Sequence, residues 1–155
     1  MILTLHILTG AAIITLVQNP ILGLFFVLSS HYLLDILPHT KYTIKNIQAG
    51  QWSRSLSDFL KVFFDMFLGI TIVFFIIGRS PLILASLAVT LFPDGLTFLY
   101  YIFPTNKLLE RHKKIHKTIH IVGENKKIPV FWGIISQVIV IVAAIYLLLQ
   151  QQILP

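Results

Sequence analysis

The residues best suited to chemistry in this chain are its histidines and aspartates, and their sharpest group is Ser30-His31-Tyr32-Leu33-Leu34-Asp35-Ile36-Leu37-Pro38-His39. His31 and Asp35 are four apart, so on a helix they leave one face a turn apart. Imidazole nitrogen and carboxylate oxygen suit zinc, iron or manganese, and this spacing lets both reach one ion. The alternative is a buried His–Asp hydrogen bond that joins two helices. Ionisable groups inside apolar segments are costly, which makes the pair a candidate functional site. His39, just beyond Pro38, sits where a turn can swing it back toward them.

Other candidates follow along the chain. Asp65, in Phe63-Phe64-Asp65-Met66-Phe67, needs a metal, a lysine or a protonated histidine as partner, or else it protonates. Asp94 follows Pro93 and precedes Gly95; a proline, an acid and a glycine together suit backbone opened to line a cavity, or a simple kink. His112 and His116 are again four apart, in Leu108-Leu109-Glu110-Arg111-His112-Lys113-Lys114-Ile115-His116-Lys117-Thr118-Ile119-His120. His6 precedes the small residues Gly10, Ala11 and Ala12, which allow close helix packing. Asp58, in Ser55-Leu56-Ser57-Asp58, reads as a helix N-terminal acid. Ser29 and Ser30 read as bonding back to their own helix.

These residues are embedded in a chain of 155 residues that is 56% hydrophobic and 12% charged, with a mean hydropathy of +0.85. One soluble core cannot hide that much apolar surface. Five apolar helices are the economical parse, at residues 2–17, 20–37, 56–77, 81–103 and 129–149. Asn19-Pro20 and Ser80-Pro81 are cap-then-proline starts, and Gly78 is a stop. The basic segment 105–127 reads as an amphipathic interfacial helix with Leu108, Ile115, Ile119 and Val122 on its apolar side. The expected fold is an all-α polytopic membrane protein, residues 1–155 forming one integral domain. With no cysteine, neither a disulfide framework nor a thiolate metal site is available. The first segment lacks a basic n-region and reads as a retained helix.

Five spans put Lys41, Lys45, Arg54, Lys61, Lys107, Arg111, Lys113, Lys114, Lys117, Lys126 and Lys127 on one side and Arg79 alone on the other. This asymmetry predicts the N-terminus inside and the C-terminus outside a prokaryotic cytoplasmic membrane. The net charge of +6 is thereby explained by orientation and anionic lipid rather than nucleic acid, with Lys113, Lys114 and Lys117 facing headgroups. The same parse gathers His6, His31, Asp35, His39, Asp58, Asp65, Asp94, His112, His116 and His120 on the inner side.

At Ser30 to Asp35, at His6-Ile7-Leu8-Thr9-Gly10-Ala11 and at Phe92-Pro93-Asp94 the chain resembles small integral-membrane metal-dependent hydrolases, among them LexA-regulated inner-membrane hydrolases. Their S-H-x-x-x-D and L-P-D elements look like these stretches. A more distant similarity is to zinc-dependent phospholipase C, where an H-x-x-x-D pair and further His and Asp residues hold zinc ions. Gly95 and Leu96 stand where that membrane family carries a second acid, and His112-Lys113-Lys114-Ile115-His116 only approximates its H-R-x-x-T-H element.

Residues and resemblance together imply a metal-dependent hydrolase acting at the inner leaflet. His6, His31, Asp35, His39, Asp65, Asp94, His112 and His116 are the expected ligands of one to three divalent ions, with zinc the leading choice. Asp65 or Asp94, if uncoordinated, is the expected general base. A basic interfacial helix beside the site favours a lipid phosphoester as substrate. The competing expectations are a metal or proton transporter and a non-catalytic scaffold whose His and Asp residues bridge helices.

Overall fold

The computed structural model describes residues 2–40, 42–123 and 129–153. Lys41, Lys126 and Lys127, and the side chain of Val122, lie outside what is described. Among the described residues the chain is all-helical, with no strand: α1 (Leu3–Leu16), α2 (Pro20–Ile36), α3 (Lys45–Gln48), a 3₁₀ turn (Trp52–Arg54), α4 (Leu56–Ile77), α5 (Pro81–Ile102), α6 (Lys107–Gly123) and α7 (Val130–Ile153).

Local chemistry sets the helix limits. The Asn19 side chain accepts the amides of Ile21 at 3.0 Å and Leu22 at 3.1 Å, with Pro20 as the first helical residue. Ser80 accepts the Ile83 amide at 3.2 Å ahead of Pro81. Gly78, at φ 77°, ends α4 in a conformation that favours glycine. Asn106 caps α6 through the amides of Leu108 and Leu109. Asp58 lies in the first turn of α4 as expected, yet its carboxylate takes the amides of Asn46 at 2.8 Å and Ile47 at 3.3 Å and so caps α3. Ser29 and Ser30 do bond back, to the carbonyls of Phe25 and Val27.

Two expectations are corrected. The backbone does not open at Pro93: α5 runs helical through it. A proline inside a packed helix forfeits one hydrogen bond, and Pro93 is buried where its neighbours hold the helix together. The five expected spans also reduce to three helices, α4, α5 and α7, that are long and apolar enough to cross a membrane. α1 has 14 residues and α2 has 17, or roughly 21 and 26 Å at 1.5 Å per residue, against a hydrocarbon core of ~30 Å.

The short α1 is the axis of the bundle, packed against α2, α4, α5 and α7. Leu5, Ile7, Leu8 and Ala11 on it are fully enclosed, which is why it can be apolar all round. Its neighbours come very close. A Cβ at Gly69 of α4 would sit 2.9 Å from the Thr4 backbone, and one at Gly10 would collide with the Thr90 hydroxyl of α5. The outer faces carry Phe63, Phe64, Phe67 and Phe75 of α4 and Val138, Ile139 and Val142 of α7, all exposed. The start of α1, the end of α2 and α6 share one end of the bundle, where the histidines and aspartates collect.

Candidate metal centre

Five chain segments deliver the site. His6 comes from the second turn of α1, His31 and Asp35 from the last turns of α2, and His39 from the loop after Pro38. Asp94 comes from α5, and His116 and His120 come from α6. The α5–α6 connection turns at Pro104, and α6 packs back over α2 and α5. This packing fixes which side of α6 faces the bundle. Leu108 is 78% exposed and Ile115 54%, whereas His116 is 3% exposed. The histidine stripe turns inward because it finds Asp35.

Asp35 is fully buried and holds the centre together. Its Oδ2 lies 3.0 Å from His116 Nε2, 3.3 Å from His120 Nε2 and 3.5 Å from His31 Nε2, while Oδ1 lies 3.3 Å from His6 Nε2. Asp94 Oδ2 is 3.9 Å from His31 Nε2, and its Oδ1 is 3.9 Å from His116 Nε2. Around a tetrahedral ion with bonds of ~2.0–2.1 Å, ligand atoms stand about 3.3 Å apart. The separations bracket that value, and the shortest of them is a His116–Asp35 hydrogen bond. Three overlapping sets could each hold an ion, with ligand atoms within 4.8 Å of one another: His6/His31/Asp35, His31/Asp94/His116 and Asp35/His39/His120.

Hydrogen bonding decides which nitrogens face inward. A carbonyl can only accept, so His39 Nδ1–H donates to Leu37 O at 2.7 Å and leaves Nε2 with its lone pair. His39 Nε2 can either accept His120 Nδ1–H across 3.3 Å or offer that one lone pair to an ion; accepting it turns the lone pair of His120 Nε2 toward the Asp35 carboxylate. Burial pushes the His120 pKa down to about 3 despite nearby Asp35, so at neutral pH it carries no second proton. A lone pair facing a carboxylate oxygen calls for a positive charge between or beside them. His31 adds an independent sign. Both of its ring nitrogens are buried without a hydrogen bond among the described residues, a state that costs about 1–3 kcal/mol per group unless a ligand takes the lone pair. The donor set could therefore hold a metal ion.

The centre has one open edge. The Asp94 side chain is 33% exposed where that of Asp35 is 1%. His112 is absent from the three sets. It stands at the rim with Nε2 3.3 Å from the Tyr32 hydroxyl, and burial, with His116 beside it, lowers its pKa.

Asp65 is removed from the candidate set. Its carboxylate takes the amide of Leu3 at 2.6 Å, the amide of Thr4 at 3.1 Å, the Thr4 hydroxyl at 2.7 Å and the Tyr42 hydroxyl at 3.1 Å. The partner that an apolar-flanked carboxylate requires is thus the N-terminus of α1, with its unpaired amides and positive dipole end. With these four bonds on its two oxygens, Asp65 stands outside the three donor sets. In exchange the centre gains His120, whose i,i+4,i+8 register with His112 and His116 is the sequence signal that places it on their stripe. Comparison with protein-family models, with curated proteins and with solved structures finds no match, and the site stands on its own geometry.

Proposed function

We propose that this chain is a membrane-embedded metal-dependent hydrolase whose centre, at the cytoplasmic leaflet, acts on a lipid phosphoester. The observation that carries the proposal is the convergence of four imidazole nitrogens on the two oxygens of the buried Asp35. His6, His31, Asp35, Asp94, His116, His39 and His120 would hold one to three divalent ions, zinc first among them. A bound zinc ion supplies Lewis acidity and a nucleophile at neutral pH. Asp94, the half-buried carboxylate at the open edge, would take the proton of an incoming water where it is left uncoordinated. Tyr32 and His112 line the same edge and offer hydrogen bonds to a phosphoryl oxygen.

The membrane reading rests on three crossing-length apolar helices, against which the shorter α1 and α2 pack. The Lys and Arg asymmetry favours the site-bearing end in the cytoplasm. Exposed Lys114 and Lys117 on α6 would gather anionic headgroups there. A transporter would use the same donors as one stop on a path.

The test uses the full chain purified in detergent. Elemental analysis should find zinc or another divalent metal, and phosphoester lipids in mixed micelles should be hydrolysed once the metal is supplied. Protein that holds no metal even after reconstitution sinks the reading. A metal-loaded protein that moves the ion across vesicles without hydrolysis favours the transporter.

A further inference from the structure

Thr97, on α5 one turn beyond Pro93, touches the centre through His116. Its Oγ1 lies 2.9 Å from His116 Nδ1 and 3.2 Å from the Pro93 carbonyl oxygen. A hydroxyl has one proton and two lone pairs. The Pro93 carbonyl can only accept, so the proton given to it leaves a Thr97 lone pair to receive His116 Nδ1–H. With Nδ1 protonated, Nε2 is the atom left to face an ion: without one it donates to Asp35 Oδ2 at 3.0 Å, with Asp94 Oδ1 3.9 Å away, and an ion would take the place of that proton. His39 is wired the same way through the Leu37 carbonyl. By contrast, Nδ1 of His6 and of His31 has no hydrogen-bond partner among the described residues.

We propose that Thr97 is a positioning residue of the metal centre: it fixes His116 in the Nδ1–H tautomer with Nε2 aimed at the ion, and so ties the α6 ligand to the α5 ligand Asp94. The proposal rests on the metal reading above and adds a residue that touches no metal. Loss of a hydrogen-bond partner behind a ligating histidine costs about 10–100-fold in metal affinity.

The experiment titrates detergent-purified full-length protein with Co(II), followed by visible absorption and by competition with Zn(II). Thr97→Val keeps the shape and removes the acceptor; Thr97→Ser keeps the acceptor. The valine variant should bind Co(II) about 10–100-fold more weakly with a changed ligand-field band, and the serine variant should match wild type. Wild-type affinity and band in Thr97→Val overturn the proposal, as does a serine variant as impaired as the valine one. Histidine nitrogen NMR of metal-free wild type gives a second reading that needs no variant to fold. A protonated Nδ1 on His116 supports the assignment, whether or not Nε2 also carries a proton for Asp35, and a bare Nδ1 overturns it. Wild type that takes up neither Co(II) nor Zn(II) refutes the metal reading itself, and the NMR result then shows whether the Thr97 contact survives without it.

Discussion

Asp35 Oδ2 and His120 Nε2 lie 3.3 Å apart although they come from α2 and from α6. Asp35 is where the two halves of the chain meet. Removing its carboxylate takes away the ligand shared by two of the three donor sets. Asp35→Ala should lower bound metal by at least tenfold, since a ligand is lost outright where a supporting contact alone is worth about 10–100-fold. Elemental analysis beside far-ultraviolet circular dichroism reads this directly. A variant that keeps its full metal content excludes Asp35 as a ligand.

Asp65 should behave differently. Its loss removes a cap from α1, worth about 0.5–2 kcal/mol, plus up to about 1 kcal/mol of charge–dipole attraction. Asp65→Ala should therefore lower the thermal midpoint in detergent while leaving metal stoichiometry intact. Unchanged melting with lost metal would return Asp65 to the ligand set.

The pH response of the metal-free protein follows from His120. Its folded pKa, near 3, lies below the unfolded value of about 6.5. Between those values the unfolded chain binds more protons, so stability is full above about pH 6.5 and falls as pH drops toward 3. His120→Gln should flatten that decline in melts taken across the window. An equally steep decline in the variant would show that other groups drive it.

Chelation should act on the whole bundle, because the ligands are spread over α1, α2, α5 and α6. Removing metal with a chelator should lower the melting midpoint, and adding zinc should restore it in proportion to the logarithm of its concentration. An unchanged midpoint in protein shown to lose its metal would mean that the donors are held in place without the ion.

Close packing at the axis gives a further check. Gly69→Ala would place a methyl 2.9 Å from the Thr4 backbone, and over-packing of this kind costs about 1–3 kcal/mol. The shift of α1 should carry His6 with it, so weaker Co(II) binding should accompany the lower melting point. Wild-type behaviour in both measurements would contradict the close approach of α1 and α4.

Helix starts were legible because Asn19-Pro20 and Ser80-Pro81 act within a turn of themselves, and Gly78 does the same at a stop. The His31/Asp35 pair was legible for the same reason, since its geometry is set by one helix. What escaped depends on contacts between elements. Asp65 looks partnerless until α1 starts beside it. The facing of α6 is ambiguous because Leu108 and Ile115 mark one stripe and the histidines another, and only Asp35 decides between them. Pro93 marks an opened backbone in isolation, yet among its packed neighbours α5 stays helical through it. Thr97 gives no signal at all until His116 is placed next to it.

The division of the ligand set between α1–α2 and α5–α6 has a consequence for biogenesis. His6, His31 and Asp35 leave the ribosome first and enter the bilayer with their counterparts still unmade. The carboxylate of Asp35 must then stay protonated, or stay near the aqueous boundary, until α6 has emerged and folded back over it. On the proposed metal reading, loading with an ion would wait until α6 has been made, as a final fastening of the two halves of the chain.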